Sequence, residues 1–204
     1  MSKVALQVVF ALVPSTVLRY INFALDILLE ILKEIPEAHL AWPTEAKMQE
    51  NSHLITRKHC GAKYLDGAFG FMDGLNLPLQ ASGDHNKQNA NYNGWLHKHV
   101  ISNIIVFLPE GTIMVAVMNA PGSWHDSNMA WPIYDLLRHK TPNSCFLIAN
   151  SAFPCLGVGE AQKIKVPLKI NVCRTREQDQ ESQEVTTARQ AVEWGMQAIQ
   201  GCFS

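Results

Sequence analysis

The sequence predicts an α/β protein: a mixed sheet flanked by helices, behind a small amino-terminal helical segment. Two patterns carry this prediction. Residues 15–35 repeat apolar side chains at helical spacing, and from residue 68 the pattern changes to short apolar runs punctuated by Gly, Pro and Asn. The order that follows is strand, hairpin, helix, strand, loop, helix, in which helices cover a sheet. The natural division is a helical segment over residues 1–65 and a sheet domain over 66–204.

Each element has its own signal. Ser15 is placed to cap a helix running to Ile35, with Val17, Ile21, Leu25, Leu28, Leu32 and Ile35 on one face, and Pro36 stops it. Residues 1–10 form a partner helix across the turn at 11–14. The pair reads either as a helix-turn-helix or as a plain helical hairpin, and only Arg19 and Lys33 offer phosphate contacts. Residues 41–65 predict one short helix and a loop. A short strand over 69–72 ends in Asp73-Gly74, and a polar stretch follows over 81–94. Strands over 100–108 and 112–119, joined by Pro109-Glu110-Gly111, read as a hairpin. A helix over 128–139 carries Met129, Ile133, Leu136 and Leu137 on one face, with Pro132 in its first turn. Residues 145–149 form a buried strand, and residues 157–184 read as loop. Thr187 and Gln190, at capping-box spacing, open a last helix to Gln200.

Composition excludes several classes. At 204 residues, 47% hydrophobic and 17% charged, the chain can bury a core and is not disordered. A net charge of −1 lacks the basic surplus of a self-sufficient nucleic-acid binder. Five scattered cysteines (Cys60, Cys145, Cys155, Cys173, Cys202) without a C-x-x-C pair speak for a reducing compartment and against a disulfide framework or zinc ribbon. No apolar run reaches the ~18 residues of a membrane span. Residues 1–13 imitate a signal peptide but lack its cleavage site and lead straight into amphipathic sequence, so they are read as helix.

Carboxylates just past strand ends sit where α/β proteins place their sites. Asp73 follows the first strand, Asp126 follows the hairpin in Gly122-Ser123-Trp124-His125-Asp126, and Glu193 lies in the last helix. The position after the 145–149 strand holds Asn150. Converging acids of this kind hold Mg²⁺ or Mn²⁺ and support phosphodiester chemistry. Taken singly, each has a plainer reading: Asp73-Gly74 as a turn, Asp126 as a helix cap, Glu193 as the surface partner of Arg189.

Five segments change that balance: GFMDGLNLP (70–78), NANYNGWLHKH (89–99), FLPEGTIMVAVMNAPGSWHDS (107–127), FLIANSAFP (146–154) and ARQAVEWGMQAIQGCF (188–203). In this order they resemble successive blocks of the Harbinger-like DDE transposase-derived endonucleases, with PGSWHDS and NSAFP the most specific. The resemblance implies a ribonuclease-H-like fold and metal-dependent cutting of DNA at transposon ends by an Asp-Asp-Glu set. By position, Asp73 resembles the acid of the first strand, Asp126 the acid of the G-S-x-H-D block, and Glu193 the closing glutamate. It further implies a nuclear role on DNA, a separate DNA-binding partner protein as a possibility, a remnant of a helix-turn-helix in the first helices, and a chain cut short at its carboxyl end.

One position departs. Where the resemblance expects D-S-A-F/Y-P, this chain has Asn150-Ser151-Ala152-Phe153-Pro154. An amide carries no charge, so metal binding and cleavage are expected to be impaired. Two readings stay open: a crippled metal-dependent endonuclease, or a domesticated protein that binds without cutting. The basic tract Lys163, Lys165, Lys169, Arg174 and Arg176 reads either as a solvated loop or as the bed of a DNA backbone. His97 and His99 are expected on one side of a strand in ordinary polar roles, His125 in a structural hydrogen bond, and Trp95 and Trp124 in packing.

Overall fold

The computed structural model describes residues 3–80, 83–153, 163–168 and 175–202. The chain divides into two compact units, Met1–Leu40 and Ala41–Ser204, each described here by itself. The division falls earlier than residue 65 because the helix over Glu45–Lys58 packs its Met48 and Ile55 into the core of the second unit.

In the first unit, α1 (Lys3–Phe10) and α2 (Pro14–Glu34) meet at a bend of 105°. Ala11, in the left-handed region at φ 49°, makes the break. Val13 flanks α2 without a side-chain cap, so Ser15 is not the capping residue; Pro14, which has no N–H to satisfy, opens the helix instead. Only Val17 of the expected stripe is buried, and Leu25, Leu28, Leu32 and Ile35 are exposed. No single helix among the described residues is long and apolar enough to cross a membrane.

The second unit holds a six-stranded mixed sheet. Its strands are β1 (Ala68–Pro78), β2 (Tyr92–Asn93), β3 (Lys98–Phe107), β4 (Ile113–Pro121), β5 (Phe146–Ala149) and β6 (Ile164–Lys165). The main order is β4-β3-β1-β5-β6, antiparallel across β4, β3 and β1, then parallel to β5 and β6, with β2 paired to the start of β3. Helices α3 (Glu45–Lys58), α4 (His85–Ala90), α5 (Asp126–Met129), α6 (Trp131–Lys140) and α7 (Arg176–Cys202) accompany it. This is the ribonuclease-H-like α/β arrangement.

Period-two alternation distributes β3 between two cores: Ile104 and Val106 face Ile133, Tyr134 and Leu137 of α6, while Ile105 and Phe107 face Val185, Ala188, Val192 and Met196 of α7. Both faces of the central strands are therefore apolar, and polar residues there need partners.

Three boundaries differ from expectation for physical reasons. β1 does not end at Asp73-Gly74; both residues sit inside the ladder, opposite Ile105 and Ile104. The ladder with β3 holds the strand extended through an Asp-Gly pair that would turn if left unpaired. The 128–139 helix is two pieces, with Pro132 in the first turn of the second. The last helix begins eleven residues before Thr187. The capping box is at Thr175 and Gln178, where the Gln178 N–H donates to Thr175 Oγ1 at 3.3 Å and the Thr175 N–H to Gln178 Oε1 at 3.0 Å. Thr187 lies mid-helix, its hydroxyl donating to the Gln183 carbonyl.

Candidate active site

The site is built where β1 and β5 run side by side. Met72 pairs with Ala149, so the next residues, Asp73 and Asn150, stand together on the α7 side of the sheet. The Asn150 Nδ2 donates to Asp73 Oδ1 at 2.6 Å, and its Oδ1 accepts the Ala152 N–H at 2.8 Å. Both ends of the amide are engaged, which fixes its orientation. The Gly74 N–H also donates to Asp73 Oδ1, at 2.9 Å.

From α7, Arg189 Nη2 lies 3.6 Å from Asp73 Oδ2 and 3.7 Å from Glu193 Oε1. Glu193 thus pairs with Arg189 four residues earlier, as its plainer reading held, and its side chain is 58% exposed against 13% for Asp73. The helix period explains the placement. Val185, Ala188 and Val192 face the core, and Arg189, one turn after Val185, borders that stripe while Glu193 falls at its rim.

Asp126 comes from the other direction. Asn103 sets its approach: its Oδ1 accepts the Asn119 N–H at 3.0 Å, and Asn119 takes the left-handed conformation at φ 64° beside an irregularity in the β3–β4 pairing. The loop after β4 is then pinned by Gly122, where a Cβ would lie 2.6 Å from the Asn91 carbonyl oxygen, and by Asn93 Nδ2, which donates to the Gly122 carbonyl at 2.9 Å. Asp126 is the first residue of α5, and no side chain caps that helix, so the carboxylate is not a cap. It lies against Gly74: a Cβ there would stand 3.2 Å from Asp126 Oδ2. Because side chains alternate along β1, Asp126 meets the strand on the face opposite to Asp73.

Burial pushes the Asp73 carboxyl above the ordinary carboxylate range; the Gly74 amide, Arg189 and Asn150 draw it back, and Glu193 pushes it up again. Asp126 is also raised, first by burial, with His125 lowering it and Asp73 raising it. In both, burial outweighs the groups that favour the ionised form.

Asp73, Asn150 and Glu193 therefore gather around Arg189 on one face while Asp126 reaches β1 from the other, and they do not form a three-carboxylate cage. Among the described residues no group of three His, Cys, Asp or Glu side chains is placed to hold a metal ion. The amide of Asn150 faces Asp73 as a donor, and a guanidinium occupies the space between Asp73 and Glu193. As they stand, these residues do not fit a divalent cation, which needs converging oxygens.

The basic tract resolves unevenly. Lys163 is buried, its Nζ donating to the Thr141 carbonyl at 2.6 Å, and burial lowers its pKa. Lys165 Nζ donates to the Tyr64 carbonyl at 2.9 Å and pairs with Glu181 at 3.0 Å. Neither is a free surface cation; Arg176 is exposed, and Lys169 and Arg174 lie outside the described residues. Trp95 is 92% exposed and Trp124 54%, so neither is a packing residue. His97 precedes β3 in the left-handed region at φ 51° and does not share a strand face with His99. The His125 Nδ1 lies 3.1 Å from Ser127 Oγ.

A central strand bearing Asp73 thus runs beside a parallel strand ending at Asn150, with a second acid, Glu193, arriving on the last helix of a ribonuclease-H-like sheet. The model of the DDE superfamily endonuclease family matches residues 72–204, and the chain belongs to that family. That family generally uses divalent metals and acts on DNA. No curated protein and no solved structure gave a significant match.

Proposed function

We propose that this chain is a Harbinger-like, transposase-derived DNA endonuclease domain whose cleavage chemistry is severely reduced. One contact carries the reading: the Asn150 amide donates to Asp73 at 2.6 Å, where the family pattern puts a second carboxylate. Phosphodiester cleavage of this type depends on charge and positioning. An amide that spends its NH₂ on Asp73 and its oxygen on Ala152 brings the site neither charge nor an unengaged polar end. Asp73, Asp126 and Glu193 retain carboxylates at the positions the resemblance assigns to the Mg²⁺ or Mn²⁺ ligands, but as they stand they do not form a site for the ion. The partner is DNA, at a transposon end or target, and the compartment that follows is the nucleus. With a net charge of −1 and Lys163 and Lys165 engaged internally, a separate basic DNA-binding protein would supply much of the affinity.

A second reading, a domesticated protein that binds without cutting, is favoured by Arg189 between the acids. Mn²⁺-dependent nicking of supercoiled plasmid by the parent, Asn150→Asp and Asp73→Ala proteins separates the two. The expected result is no nicking by the parent or Asp73→Ala and weak nicking by Asn150→Asp. Cleavage by the parent that disappears in Asp73→Ala contradicts the impairment. Silence in all three transfers the assignment to binding alone.

A further inference from the structure

We propose that Arg189 is the resident cation of this site: its guanidinium, held between Asp73 and Glu193, takes the place of a divalent ion and excludes it. The proposal rests on reading Asp73 and position 150 as a degenerate metal pair, and it goes further by making the lesion double rather than single. Arg189 Nη2 stands 3.6 Å from Asp73 Oδ2 and 3.7 Å from Glu193 Oε1. Both distances exceed a hydrogen bond, so the guanidinium acts on the two acids through its charge. Its Nε is buried and makes no hydrogen bond among the described residues. A guanidinium does not lose its proton in a protein, so the positive charge is permanent. An ion that drew oxygens from both acids would have to displace the group already spanning them.

The side chain has little freedom to leave. Its turn of α7 is fixed by Val185, Ala188 and Val192 in the core, and it is only 25% exposed. Asn150 completes the arrangement. With an amide rather than a carboxylate beside Asp73, a single positive charge faces Asp73 and Glu193, and a third negative charge that would demand a divalent ion is absent.

Mn²⁺ binding by the full chain tests this, followed by the electron paramagnetic resonance of the free ion. The parent and Arg189→Met should bind no Mn²⁺ saturably, and Asn150→Asp should bind it weakly. Asn150→Asp/Arg189→Met should bind about ten-fold or more tighter than Asn150→Asp. The charge-conserving Asn150→Asp/Arg189→Lys should stay as weak as Asn150→Asp. Equal affinity in Asn150→Asp and Asn150→Asp/Arg189→Met overturns the role of Arg189 while leaving the endonuclease reading intact. Plasmid cleavage by the parent that disappears in Asp73→Ala overturns the impaired-cleavage reading instead. If the double variant does not fold, the parent answers directly: its Asn150 side-chain NH₂ resonance should survive stoichiometric Mn²⁺, and selective paramagnetic broadening of that resonance overturns the proposal.

Discussion

The two faces of β1 at residues 73 and 74 are packed alike and charged differently. On the α7 face, Asp73 has the Gly74 amide, the Asn150 amide and Arg189 around it. On the α5 face, Asp126 presses against Gly74, and among the described residues His125 is the group that lowers its pKa. The apolar residues behind the two faces form comparable cores, with Ile133 on one side and Ile148 on the other fully buried. Packing alone therefore does not mark the site. What distinguishes the α7 face is that its acid has been supplied with partners from within the chain, whereas the acid on the α5 face has been left short of them.

Variants can break or sharpen this contrast. The largest effects should be symmetric: Ile133→Ala and Ile148→Ala should each cost about 2–5 kcal/mol in urea unfolding, because each leaves a cavity in a closed core. A cost below about 1 kcal/mol for either would show that its face is loosely built. Next comes Arg189→Met, which leaves Asp73 and Glu193 facing each other. Its cost should be on the order of 1–2 kcal/mol, discounted for the partial exposure of the pair, and should shrink in an Asp73→Asn background. An undiminished cost would mean that Arg189 acts through its stem rather than its charge.

Asp126 should behave in the opposite sense. A carboxyl whose folded pKa is raised favours the folded state when protonated. That stability is fully present below the unfolded pKa and is lost as pH rises through the folded one. Asp126→Asn should therefore raise Tm at neutral pH, with the gain fading as pH falls toward the ordinary carboxylate range. A gain that is independent of pH would contradict the cause assigned here. Smallest is Gly74→Ala. The added Cβ would stand 3.2 Å from Asp126 Oδ2, which needs only a slight shift, so the loss should be about 1 kcal/mol or less and should vanish with Asp126→Ala.

Much of the fold was legible in the sequence because periodicity reports burial directly. The β3–β4 hairpin and β5 are strongly apolar and end at Pro, Gly or Asn. The polar opening of α7 was not legible: over 176–184 only Ser182 is buried, so the helix has no apolar stripe there to announce it. The capping-box pattern was misplaced because Thr-x-x-Gln occurs twice, at 175–178 and 187–190, and only the first lies at a free helix end. Asp73-Gly74 read as a turn because pairing partners are not visible in a local window. Lys163 and Lys165 read as surface because their acceptors, Thr141 and Tyr64, are distant in sequence. Asp73, Asp126, Glu193 and Asn150 stand out in the sequence through the resemblance alone, since local pattern favours a plainer reading of each acid. Arg189 was seen only as a partner for Glu193. The signal that marks it is its spacing of four from Val185, which puts an arginine at the edge of a buried stripe.

The central claim is that Asn150 serves Asp73 as a hydrogen-bond donor and not as a metal ligand. Crystals of the parent soaked in Mn²⁺ test it most directly, through an anomalous difference map around Asp73. No Mn²⁺ peak is expected within about 2.6 Å of an Asp73 oxygen, with the Asn150 amide still in contact. A peak ligated by both Asp73 and the Asn150 oxygen would contradict it.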